Sequence, residues 1–212
     1  MSLVDLLREP DRTIAALRMP DAQRALAAQC LVAILVGGAL FGAAMGSFRG
    51  GSQIVVAALK IPAATLLTMA FSGPALLSLA AAFDRRWRAS EALALMLAAG
   101  ARSCLVLGAL APVLWLGIDL GLPYGALKLT ATGAYGLAGL SGLSVLLRGL
   151  GTAPGRTGVV SCFAMVFLVV GAQTAWILRP YVGDPSDEEI PMFAHGRVEG
   201  GLFGSLRGRG WR

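Results

Sequence analysis

Four long stretches of this chain hold no charged side chain: Ala25–Phe48, Ile61–Phe83, Leu129–Leu147 and Thr157–Leu178. An α-helix needs about 20 apolar residues to cross a hydrocarbon core, so each stretch is long enough to span a membrane. A fifth candidate, Ala92–Ile118, is interrupted by Arg102. It reads as one helix starting near Ala92 with Arg102 inside; the rival reading is an interfacial helix over 91–101 followed by the shorter clean run Ser103–Ile118. Both readings give five spans. The fold expected is an all-α, polytopic membrane helical bundle with five transmembrane helices.

Composition agrees with that reading. The 212 residues are 56% hydrophobic and 14% charged. A soluble domain is nearer a quarter charged, and one core of this length cannot hide so much apolar surface from water. A soluble enzyme, a disordered chain and a disulfide-stapled secreted domain are disfavoured together. The first span is not expected to be a cleaved signal peptide: its apolar region is too long, and Asp5, Glu9, Asp11 and Asp21 precede it. Cys30, Cys104 and Cys162 are odd in number, sit in apolar stretches and lack metal-type spacing, so they read as buried thiols. The net charge of +6 does not imply nucleic acid, because no basic run exceeds Arg85-Arg86-Trp87-Arg88.

The expected organisation is a cytoplasmic amphipathic segment over 1–24, a five-span domain over 25–185 and a flexible polar tail over 186–212. In the first segment Leu3, Leu6, Leu7, Ile14 and Leu17 alternate with charges around Pro10. That pattern suits short pieces lying on a membrane surface. The tail turns from acidic to Gly/Arg-rich and holds the chain's single histidine, His195. The connections between spans are short, which makes consecutive helices antiparallel neighbours.

Orientation follows from Lys and Arg in short loops. One side carries Arg8, Arg12, Arg18, Arg24, Arg85, Arg86, Arg88, Arg148 and Arg156. The other carries Arg49, Lys128, Arg179 and Arg197. This places the N-terminus in the cytoplasm and, after five spans, the C-terminus outside.

Gly38, Gly42 and Gly46 form a ridge at spacing four in the first span. Small residues at this spacing let two backbones approach where lipid provides little hydrophobic drive. The ridge is expected to pack within the chain, with homodimerisation as the alternative. Gly133, Gly136, Gly139 and Gly142 repeat the theme in the fourth span at spacing three, and Gly136 and Gly139 are likewise expected to pack helices.

Charge inside a membrane is costly and marks function by default. Lys60 and Lys128 are placed at the outer ends of the second and fourth spans, where they can snorkel to the interface. Arg102 lies deeper. Its expected partners are carbonyls, hydroxyls, a lipid phosphate or an acid from another subunit. Arg179, with Trp176 and Tyr181, marks the outer edge of the last span. Lys60, Arg102, Lys128 and Arg179 are the candidate contacts to lipid or partner. Gln29, Gln173 and Thr132 can hydrogen-bond between helices. Pro62, Pro74 and Pro112 fall within spans and can kink them.

No span contains Asp, Glu or His. Carboxylate proton relays, a base-activated nucleophile and a metal-ligand set therefore have no residues to work with. The expectation is no catalytic residue, no metal, no cofactor and no enzymatic activity. The expected partners are the lipid bilayer and other membrane proteins or anionic lipids. Scaffolding is the first functional reading. A transporter or lipid-handling component, or an accessory subunit of a larger complex, is the alternative.

The order of parts resembles a known family. The first span ends Gly38-Ala-Leu-Phe41-Gly42-Ala-Ala-Met45-Gly46, and a tight turn leads to Ala57-Ala-Leu-Lys60-Ile-Pro62. Ser72-Gly-Pro74 and Leu105-Val-Leu-Gly-Ala-Leu-Ala-Pro112 follow, and the last span closes Trp176-Ile-Leu-Arg179-Pro180-Tyr-Val-Gly-Asp184-Pro185. Over residues 25–185 this is similar to small bacterial Yip-like integral membrane proteins, which resemble the five-span Yip family. Eukaryotic members bind Rab-type GTPases and shape secretory membranes, although their N-terminal recognition segment is not evident in this chain. The resemblance implies a five-span protein of the bacterial inner membrane that shapes or scaffolds membrane assemblies.

Overall fold

A computed structural model describes residues 10–17, 19–82, 88–152 and 155–178. Among them are six helices and no strand: α1 (Pro10–Leu17), α2 (Pro20–Gly46), α3 (Gln53–Ala82), α4 (Ala89–Asp119), α5 (Tyr124–Gly149) and α6 (Arg156–Leu178). The last five are long and apolar enough to cross a membrane. The fold is the expected all-α polytopic bundle.

Prolines open α1 and α2, where the missing N–H would have had no partner within the helix. In α4 the Glu91 carboxylate accepts a bond from the Arg88 backbone N–H (3.3 Å), which closes the first turn. The tight turns are built on glycines in the left-handed region, including Gly50 (φ 79°) before α3 and Gly121 (φ 78°) before α5. α3 stays continuous through Pro62 and Pro74. Along it, Thr65, Thr68, Ser72 and Ser78 each turn their hydroxyl back to the carbonyl four residues earlier. Such back-bonds keep the polar groups satisfied inside lipid.

Helices α2 and α4 form the spine. α3 packs on α2, α5 on α4, and α6 on α3, while α3–α4 and α5–α6 meet only lightly. The interior has two layers. At the α1 end Cys30, Ile34, Leu76, Ala98, Val145, Val159 and Phe163 pack together, so all five long helices contribute. At the opposite end Phe41, Ile61, Leu107, Leu114 and Leu127 pack together, and α6 contributes nothing to that cluster. α1 crosses the α1 end against α2, α4 and α5. Its Ile14 is buried in the first layer, so this segment is docked on the bundle and does more than lie on a membrane surface.

α4 is a single helix from Ala89 to Asp119 with Arg102 inside it, as expected, and the rival interfacial helix over 91–101 does not form. One boundary differs from the sequence expectation. α3 begins at Gln53, eight residues before the uncharged run, and carries Lys60 inside it.

Each long helix turns more than half of its apolar window outward. Phe71, Leu129, Met165 and Leu168 are each at least two-thirds exposed. Apolar surface of this extent needs lipid or protein against it.

Candidate functional site: glycine seams and the Arg102 cluster

The glycine ridge of α2 lies against α3. A Cβ at Gly42 would run into the Ala57 carbonyl and sit 2.8 Å from Ala58 Cα. At Gly46 it would lie 2.6 Å from the Gln53 carbonyl oxygen, and at Gly38 3.3 Å from Pro62 Cα. All three glycines therefore face a helix of the same chain. A second seam joins α2 to α4. There a Cβ at Gly37 would overlap the Cys104 carbonyl, and one at Gly108 would lie 3.1 Å from Gly37 Cα. Backbones touch on both sides of α2, which maximises dispersion contact in a solvent as apolar as the side chains.

The spacing-three glycines of α5 do something else. A Cβ at Gly133, Gly136 or Gly139 would meet nothing within 4 Å. The expectation that Gly136 and Gly139 pack helices of this chain is therefore corrected. The face of α5 that packs on α4 carries Leu127, Ala131, Ala134, Ala138, Gly142 and Val145. Gly136 lies on the opposite side, beside the exposed Leu129, Leu137 and Leu140.

Three of the four candidate cations are described, and their settings differ. Lys60 is buried and lies seven residues into α3. A lysine stem is four methylenes long, so a helix can carry it past the point where a charge count would stop the span. Lys128 is exposed in the second turn of α5, with its ammonium 5.4 Å from the centre of the Tyr124 ring. Such cation–aromatic pairs suit the ends of spanning helices. Arg102 lies thirteen residues into α4, about 20 Å along the helix. Its Nε donates to Ser141 Oγ on α5 (2.9 Å). The next residue, Ser103, donates to the Ala138 carbonyl (2.9 Å), so two adjacent α4 side chains bond to α5. Arg179 lies outside the described residues, as do Tyr181, His195, residues 1–9 and the tail over 186–212.

Arg102 has a charged neighbour that spacing did not suggest. Arg148, in the last turn of α5, lies within electrostatic reach of it. Arg148 donates to Asp11 of α1 at 2.9 Å. Ser141, Ser144 and Arg148 recur along one face of α5 at helical spacing. Thr132, which has the chemistry to bond between helices, instead donates its hydroxyl to Lys128 O in its own helix (2.8 Å). Among the described residues no group of three or more His, Cys, Asp or Glu is placed to hold a metal.

These features define the chain as a polytopic integral membrane protein of five helical spans. No protein-family model, curated protein or solved structure matches it.

Proposed function

We propose that this chain is a non-enzymatic membrane protein that scaffolds or shapes a membrane assembly. The bacterial inner membrane, with the N-terminus in the cytoplasm and the C-terminus outside, is part of the same proposal. So is membership among Yip-like proteins. The observation that carries the reading is the outer face of α5. Three glycines there meet no atom of their own chain, between large exposed leucines. Small residues in membrane helices concentrate where another helix comes close, and the partner proposed is another membrane protein or a second copy.

Native purification in mild detergent, with mass spectrometry of what accompanies the chain, tests this. The expected result is a complex with membrane proteins or a dimer, weakened by Gly136→Leu. A lone monomer that Gly136→Leu leaves unchanged contradicts it. A lipid-handling role is the second reading, favoured by the arginine that α4 carries to α5 inside the membrane.

A further inference from the structure

Helices α4 and α5 present one flank together. Arg102, Ala109 and Val113 share a face of α4, at steps of seven and four. Leu137 and Ser141 share a face of α5, four residues apart and beside the stripe that packs on α4. The bond from Arg102 Nε to Ser141 Oγ joins the two faces, so both lie on the same side of the helix pair. Ala109, Val113 and Leu137 are exposed there, and Arg102 is half-buried.

The charge on this flank lies deep. Ser141 stands eight residues from the end of α5 at Gly149, about 12 Å of rise. The helix is about 39 Å long against a hydrocarbon core of about 30 Å, so with the core centred on it the guanidinium lies about 8 Å below the core's surface. Lipid phosphates lie outside that core.

No span of this chain supplies the opposite charge at that depth. A guanidinium stays ionised, and hydroxyls or carbonyls satisfy its N–H groups without neutralising it. Among the described helices the acids are Asp11, Asp21, Glu91 and Asp119, all in first or last turns. Glu91 is the nearer one on α4, eleven residues from Arg102 or about 16 Å of rise. Helices α3, α5 and α6 hold no acid at all. A second copy of the chain would bring the same acid-free spans.

We propose that this flank receives a transmembrane helix of a different membrane protein, whose Asp or Glu, level with Ser141, pairs with Arg102. A carboxylate matches the planar guanidinium fork with two parallel bonds, and each is strong where water is absent. Val113 and Leu137 give the incoming helix apolar contact on either side. The inference rests on the reading of the chain as part of a membrane assembly, and it names a contact surface other than the Gly136 face. Gly136 is one residue from Leu137 and so about 100° around α5.

The test is photo-crosslinking of the full chain in the cells that make it, with benzoylphenylalanine in place of Leu137 or Val113 and sequencing of the adducts. The expected adduct is a different membrane protein, cross-linked through a span that carries Asp or Glu. Its yield should fall about ten-fold or more with Arg102→Leu, the loss of a charge-assisted bond, and persist with Arg102→Lys. Should Arg102→Leu not fold, the neutral amide in place of the partner's acid decides instead. Gly136→Leu should leave the adduct unchanged. Adducts only to lipid, to a second copy or to a span without an acid overturn the proposal, as does no adduct or a yield that neither neutral variant lowers. A complex that depends on Gly136 without an adduct here keeps the scaffold and loses this surface.

Discussion

Gly42→Ala adds one methyl group at the seam between α2 and α3. That carbon would collide with the Ala57 carbonyl and lie 2.8 Å from Ala58 Cα. Ordinary carbon contacts are about 3.5–4.0 Å, so the two helices must separate by roughly 1 Å. The opposing atoms are backbone and have no rotamer to change. Forced overpacking costs about 1–3 kcal/mol, and a backbone clash belongs near the upper end. Alanine recovers about 1 kcal/mol of helix propensity over glycine. The balance is a loss of about 2 kcal/mol, or roughly 4–8 °C in Tm for a chain of this length. Gly136→Ala, read on the monomer fraction, is the matched control, because the same methyl there meets nothing of its own chain within 4 Å. It gains propensity without strain. Thermal unfolding of both variants in one detergent, followed by size-exclusion fluorescence, reads the difference. Equal Tm values for Gly42→Ala and Gly136→Ala would refute the assignment of the packed glycine face.

Other outcomes follow from the same geometry. Phe41 is fully buried in the layer away from α1, edge-on to Tyr135 with ring centres 5.4 Å apart. In lipid the transfer part of its contribution largely falls away. Phe41→Ala should then cost mainly the cavity, about 2 kcal/mol for roughly 100 Å3, visible as a lower Tm. Ser103→Ala removes the α4-to-α5 hydrogen bond and should cost about 0.6 kcal/mol, a Tm drop of one to a few degrees. A drop as large as that of Phe41→Ala would mean that more than one bond depends on this hydroxyl. Ile14→Asp should weaken α1 docking, because Ile14 is buried in the layer that all five long helices share. Faster proteolysis within residues 10–19, with the spans intact, is the expected readout. Unchanged cleavage would show that α1 is held by something else.

The spans were legible because each boundary depends on charge and length, which one sequence displays directly. Lys60 shows the limit of that rule. An uncharged-run count ends a helix at any lysine, while the helix itself ends where backbone bonds and turn residues stop it, here at Gly50 and Gly51. The glycine ridges show a second limit. A helical turn takes about 3.6 residues, so a step of four overshoots it only slightly and keeps Gly38, Gly42 and Gly46 on one face. A step of three falls short of the turn by a larger margin, so Gly133, Gly136 and Gly139 wind further around the helix with each step. The stripe in α5 that does hold a face is Ala131, Ala134, Ala138 and Gly142, with mixed spacing, and it is the one buried. Arg102 was visible as a charge in an apolar run. Its partners were not, because Ser141 is far along the chain and Arg148 joins it only when α4 and α5 lie antiparallel.

Five alternating spans are the claim on which the rest depends, and cysteine accessibility in intact cells tests it most directly. In a background without Cys30, Cys104 and Cys162, single cysteines replace the exposed Ser52, Leu120, Ser90 and Thr152. Ser52 and Leu120 lie in turns at one end of the bundle; Ser90 and Thr152 lie at the other. A membrane-impermeant thiol reagent should label Ser52→Cys and Leu120→Cys from outside, and Ser90→Cys and Thr152→Cys only after permeabilisation. Labelling of Ser52→Cys and Ser90→Cys from the same side would contradict the five-span account.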